Sequence, residues 1–188
     1  MKTNLNKLKD GLFASFVLVM VALVIAVIAM GVNKADDNYS STVMVSGDNV
    51  TFKNPLDNCE VIKDFSAEKL QFNSTLKQWE AHKAVDLKAN VGDGVYAIAS
   101  GKVTKIDTTH LWGTVIVVKH DNGFESCYSS LSKDVKVSVG DKVTRGQKLG
   151  AVENSAKCEC EQDVHLHFEL IKDGKKIDPN LYFAFGQK

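Results

Sequence analysis

The sequence predicts an antiparallel all-β domain, a sheet or sandwich, preceded by one N-terminal transmembrane helix. Three observations carry this reading. Residues 12–30 are almost wholly apolar, the chain beyond residue 90 falls into short β-rich runs separated by glycine, and one late run alternates strictly between apolar and polar side chains.

The apolar run, from Leu12 to Met30, reads LFASFVLVMVALVIAVIAM, with Ser15 its single polar side chain. About 20 such residues span a bilayer as a helix. Lys2, Lys7 and Lys9 precede it and Asp36 and Asp37 lie just beyond it, so the positive-inside rule keeps the N-terminus cytoplasmic and exports the rest of the chain. A cleaved signal peptide is the rival reading. Its apolar region is typically about 7–15 residues and ends in a small-x-small site, whereas this run is longer and has no Ala-x-Ala. The expected organisation is a cytoplasmic tail at 1–11, a transmembrane helix at 12–31, a flexible spacer at 32–53, an arm packing on the domain at 54–81, and the β domain at 82–188. The spacer is polar and without period. In the arm, Ser66-Ala-Glu-Lys-Leu70 reads as an N-capped segment, and Phe65, Phe72 and Trp79 offer apolar surface to the core.

The 23 basic and 23 acidic residues balance, so no bulk charge recruits nucleic acid. Cys59, Cys127, Cys158 and Cys160 all lie in the exported part, where disulfides are permitted without being required. The spacing of Cys158-Glu-Cys160 is shorter than in the usual zinc-binding cysteine pair, which leaves one disulfide or several free thiols.

Strands are expected at residues 94–100, 102–107, 114–120, 124–131, 135–139, 147–152 and 164–171. Asp121-Asn-Gly123 and Lys172-Asp-Gly-Lys175 carry tight-hairpin signals, and Gly140, Gly146 and Gly150 punctuate the stretch between the fifth and sixth runs. In the last run, His165, His167 and Glu169 share one face while Leu166, Phe168 and Leu170 share the other. Imidazoles two apart on a strand sit roughly 6.6 Å apart at the backbone, so one can ligate a metal while the other acts beside it. His82 and Asp86 would be roughly 13 Å apart on a straight strand, so sharing an ion requires the segment to bend or coil. Two imidazoles, one carboxylate and a fourth position left for water suit zinc. Taken singly, each of these residues is equally an ordinary surface or core polar group.

From His82 to Tyr182 the chain resembles the lysostaphin/LytM-type peptidases, family M23. The resemblance runs in order through HKAVD, GDGVYAIASGKV, the Trp112-Gly113 turn into TVIVVKHDNG, VSVGDKVTRGQKLG, VHLHFEL and IDPNLY. It implies zinc held by His82, Asp86 and His167, with His165 as the general base, and hydrolysis of peptidoglycan peptides. It also exposes a departure. Where the family carries a further active-site histidine in a Tyr-x-His-Leu pattern, this chain has Tyr128-Ser129-Ser130-Leu131, so Ser130 marks a missing imidazole. Ala84 stands where the HxxxD motif usually has glycine, and Glu153-Asn-Ser replaces a glycine-rich turn. His120 falls outside the expected metal shell and reads as structural.

The segment leading into HxxxD, the single span and the Tyr-x-Ser-Leu variant are similar to sporulation members of the family from endospore formers. That likeness implies a forespore-membrane protein facing the intermembrane space, with a stage III sporulation protein AH-like partner from the mother cell and a place in a transenvelope channel. Two functions are expected in consequence: a zinc-binding scaffold, or an active zinc endopeptidase acting on peptidoglycan.

Overall fold

A computed structural model describes residues 51–121 and 123–186. The expected transmembrane helix falls outside the described residues, and among those described no helix is long and apolar enough to cross a membrane. The described residues form the strands β1 (Val61–Lys63), β2 (Ser66–Asn73), β3 (Gln78–His82), β4 (Val85–Lys88), β5 (Gly94–Tyr96), β6 (Gly101–Thr109), β7 (Gly113–His120), β8 (Phe124–Leu131), β9 (Lys142–Val143), β10 (Lys148–Ala151), β11 (His165–Lys172) and β12 (Lys175–Ile177). A short 3-10 turn at Pro179–Leu181 comes after them, capped by the Asp178 side chain.

Every strand pairing is antiparallel, as the sequence predicts. The main sheet runs β1-β4-β11-β8-β7-β6-β9, with β12 also on β11, while β5 pairs β10 and β2 pairs β3 in two small ribbons. Two turn signals are realised as hairpins. Asp173 and Gly174, both in the left-handed region at φ 51° and 72°, join β11 to β12, and Gly123, at φ 81°, helps turn β7 into β8. The alternation of β11 is realised too: Leu166, Phe168 and Leu170 are fully buried in a core with Val85, Leu87, Ile116, Val118 and Tyr128.

Three expectations are corrected. Residues 135–139 form no strand, because burying Val137 in the core needs no ladder; the segment is tied instead by the Lys136 N–H to the Leu149 carbonyl at 2.7 Å. Ser66–Leu70 begins β2 rather than a capped helical segment. Asn73 Oδ1 accepts from the N–H groups of Thr75 and Leu76 at 3.0 and 2.9 Å and sets the turn into β3, so the segment has a hairpin partner. Within that hairpin Phe72 and Trp79 are 48% and 66% exposed and pack on each other at 5.5 Å, whereas Phe65 packs against the core.

A second buried assembly ties β7 to β8. His120 Nδ1 donates to the Ser100 carbonyl at 3.1 Å, its Nε2 lies 2.8 Å from Ser126 Oγ, and that hydroxyl is 2.9 Å from the Tyr128 hydroxyl. Burial pushes the His120 pKa down, which favours the neutral ring this chain of contacts needs. The sheet is tightest beside it: a Cβ on Gly101 would collide with the Lys119 carbonyl and come within 2.9 Å of His120 Cα. Gly101→Ala is therefore expected to destabilise the domain by about 1–3 kcal/mol, seen as a lower urea midpoint at unchanged slope. An unchanged midpoint would show that the strands can part at no cost.

Candidate metal centre

Local chain geometry solves the spacing problem posed by His82 and Asp86. His82 ends β3, whose partner is β2, and Lys83 and Ala84 turn the chain into β4, whose partners are β1 and β11. Ala84 is fully buried in this bend. The change of sheet brings His82 Nε2 to 3.2 Å from Asp86 Oδ1. Asp86 lies directly opposite His167 in the β4–β11 ladder, which puts both side chains on one face and His167 Nδ1 2.8 Å from Asp86 Oδ1.

The structure adds a carboxylate that spacing does not reveal. Glu159, from the loop between β10 and β11, places Oε2 3.3 Å from both His167 Nδ1 and His165 Nε2, and Oε1 3.8 Å from Lys63 Nζ. One ligand atom from each of His82, Asp86, Glu159 and His167 lies within 4.8 Å of all the others. All four residues, and His165 beside them, are at most 4% exposed. Trp112 packs on the His167 ring at 5.1 Å.

The second contacts of the imidazoles fix which nitrogen faces inward. His82 Nδ1 donates to the Asp64 carbonyl at 2.9 Å, leaving Nε2 as the lone-pair atom toward Asp86. His165 Nδ1 donates to the Asp163 carbonyl at 2.7 Å. His167 Nε2 lies 3.5 Å from Glu169, whose carboxylate is in turn held by Lys176 at 2.8 Å. His82 Nε2 and Asp86 Oδ2 are buried and have no hydrogen-bond partner, because the 3.2 Å approach of His82 to Asp86 is off hydrogen-bond angle. Orphaned inward-facing donor atoms of this kind, in a set of two nitrogens and two carboxylates, fit a divalent zinc ion.

The charges are strongly interdependent. Burial would raise the Asp86 pKa, but the hydrogen bond from His167 and the close approach of the His82 ring hold it far below the usual carboxylate range. Glu159 is likewise held down to about 2: burial works against this, and hydrogen bonds from His165 and His167 overcome it. Burial would lower His167, yet the carboxylates of Asp86, Glu159 and Glu169 raise it well above the ordinary value, and Glu159 and Asp86 raise His165 against its burial.

The remaining predicted residues have other partners. Ser130, at φ 65°, donates its hydroxyl to the Glu153 carbonyl at 2.7 Å and accepts the Glu153 N–H at 2.8 Å through its own carbonyl. His120 belongs to the Ser126–Tyr128 assembly. The four cysteines are free thiols, with Cys160 exposed and Cys59, Cys127 and Cys158 buried. Sequence reasoning missed Glu159 and Lys63. Nothing in the spacing pointed to either.

Comparison with known proteins places this geometry in context. Residues 80–179 match the sequence profile of peptidase family M23. The chain is 31% identical over 164 residues to stage II sporulation protein Q of Bacillus subtilis, a match covering 79% of this chain and 56% of that protein. It is 31% identical over 102 residues to the peptidoglycan DD-endopeptidase ShyA of Vibrio cholerae, covering 54% of this chain and 23% of the relative. Among solved structures it resembles a chain of the SpoIIQ–SpoIIIAH pore-forming complex at TM-score 0.61 and 28% identity, over 71% of this chain and 90% of the other.

The raised and lowered pKa values set an expected pH dependence. Stability from His165 and His167 in the metal-free protein is fully present below about pH 6.5 and is lost as pH rises through their raised folded values. That from Asp86 and Glu159 is present above about pH 4.3 and is lost as pH falls through their lowered ones. Because a proton and a metal compete for His167, zinc affinity should rise with pH, by up to about tenfold per unit for each proton displaced. Competition titration against a chelating dye between pH 5.5 and 8.5 measures this, and a flat profile would contradict it.

Proposed function

Because the chain belongs to peptidase family M23, we propose that it is a membrane-anchored, zinc-holding scaffold that joins a SpoIIIAH-like protein across the space between two membranes during sporulation. The observation that carries this reading over catalysis is burial: His82, Asp86, Glu159, His165 and His167 are all between 0% and 4% exposed. The likeness to stage II sporulation protein Q supports the partner and the setting. The apolar segment at 12–31 supports a membrane tether, with the domain outside the cytoplasm.

His82, Asp86 and His167 hold the ion in this reading, and Asp64, Glu169 and Lys176 orient the groups that do. A metal bound there contributes folding free energy directly, since the unfolded chain offers no preformed site. Ser130 provides no acid or base. Its hydroxyl is committed to a backbone carbonyl, and loss of one positioned acid or base costs on the order of 10²–10⁴ in rate.

The intact His82, Asp86 and His167 set also favours a second reading, a zinc endopeptidase of peptidoglycan. Zinc would supply Lewis-acid polarisation of the scissile carbonyl. His165 is placed beside the cluster with its Nε2 turned toward Glu159 and Asp86, at 3.3 and 3.9 Å, and would accept a proton there.

One preparation of the full chain distinguishes the two. The scaffold reading expects about one zinc per chain, no new amine ends from muropeptides, and a His82→Ala variant that loses zinc, melts several degrees lower and binds a SpoIIIAH-like partner more weakly, all together. Muropeptide cleavage abolished by His165→Ala would establish the enzyme instead. A zinc-free variant that melts and assembles like the wild type would leave the ion without the role given to it.

A further inference from the structure

Glu159 reaches the cluster on a loop that other parts of the fold hold in place. Asn73, 1% exposed, donates from Nδ2 to the Cys158 carbonyl at 3.2 Å, and Thr75 Oγ1 accepts from the Glu161 N–H at 3.1 Å. Lys77 pairs with Glu161 at 2.9 Å. From the opposite side, the Lys157 and Cys158 N–H groups donate to the His110 and Leu111 carbonyls at 3.3 and 3.1 Å. The β2–β3 hairpin and the β6–β7 turn thus grip the loop on both sides of Glu159. Within the loop itself, the Gln162 N–H donates to the Glu159 carbonyl at 3.0 Å.

The carboxylate so delivered faces the same space as the inward nitrogens. Donor atoms around a tetrahedral zinc with bonds of about 2.0–2.2 Å stand roughly 3.4 Å apart. Glu159 Oε2 is 3.3 Å from His167 Nδ1, and Asp86 Oδ2 and His82 Nε2, both buried, wait without hydrogen-bond partners in the same cluster. Lys63, on β1, lies 3.8 Å from the other Glu159 oxygen, its ammonium buried and without a hydrogen bond. A carboxylate gripped by its loop, only 3% exposed and faced by a cation on its far oxygen is arranged for a fixed partner.

We propose that Glu159 is the fourth protein ligand of the metal centre, so that the site closes around its ion with His82, Asp86, His167 and Glu159 and offers no exchangeable position. The inference rests on the reading of this cluster as a zinc site. It divides the cluster differently from the family resemblance, in which three residues hold the metal and a fourth position stays open. A closed four-residue set is characteristic of structural zinc, and an open one of catalytic zinc. Lys63 acts as a positioning residue, orienting Glu159 through its outer oxygen.

Cobalt substitution in the full chain tests this without any assay of activity. The wild type should give the intense visible absorption of four-coordinate cobalt, and added azide or thiocyanate should leave that spectrum unchanged. Glu159→Ala should open a position, so that azide now shifts the spectrum, and should weaken zinc binding at least about tenfold in a chelator competition. Lys63→Met should weaken zinc binding less than Glu159→Ala and leave the spectrum insensitive to azide. A wild-type spectrum that responds to azide overturns the inference, and because it needs no variant, misfolding of Glu159→Ala cannot shield it. Stoichiometric zinc bound equally well with and without Glu159 also overturns the inference while leaving the scaffold reading intact. Failure of the wild type to bind zinc at all overturns both.

Discussion

The site is built around one buried charge, the Asp86 carboxylate, which is fully shielded from solvent on β4, one strand in from the β1 edge of the main sheet. An ionised carboxylate in such a place is costly unless it is paired and hydrogen-bonded, and removing one partner of a buried pair typically costs about 3–5 kcal/mol. The surrounding structure reads as the answer to that demand. The β4–β11 register sets His167 opposite it, the bend at Lys83 and Ala84 returns His82 to it, and Asp64, Glu169 and Lys176 fix the imidazoles that face it. One of its oxygens still has no hydrogen-bond partner, and that residual demand is the strongest physical argument for a cation in the cluster.

Much of this was legible in the sequence, for reasons that differ by element. β11 was readable because it alternates from His165 to Leu170, with Leu166, Phe168 and Leu170 on the core face and the two histidines on the other, the period of two that a strand requires. Its hairpin to β12 was readable because Asp-Gly suits two successive left-handed residues. β1 to β4 were not, because only tertiary pairing distinguishes them from loop: β2, although eight residues long, remains largely exposed, and β1 is three residues long. The run at 135–139 misled for the opposite reason, since its valines serve a core contact through an irregular backbone. Glu159 stayed hidden because a loop residue has no period. Its place depends on backbone hydrogen bonds from segments as far away as Asn73 and Leu111.

Those long-range hydrogen bonds also explain why the segment before the HxxxD motif matters to the chemistry. The β2–β3 hairpin exposes Leu70, Phe72, Leu76 and Trp79 on its outside while Asn73, Thr75 and Lys77 at its turn grip the loop carrying Glu159. β3 then ends in His82 itself. A ligand on one end of the hairpin and a loop anchor on the other make the ribbon a mechanical part of the cluster, although it belongs to neither the main sheet nor the core. Strain on the ribbon would therefore reach the cluster through two connections.

Holding a metal and using it place opposite demands on the same residues. Hydrolysis needs an open coordination position, a substrate path and an acid or base that can move a proton, whereas holding needs only saturation and shielding. The scaffold reading assigns this chain the second. The histidines are buried, and Trp112 packs on the His167 ring. Ser130 is locked by reciprocal hydrogen bonds with Glu153, and its left-handed backbone makes it a corner of the β8 end rather than a group aimed at a substrate. An imidazole there would remove the hydroxyl that satisfies the Glu153 carbonyl, so the serine has a structural duty of its own.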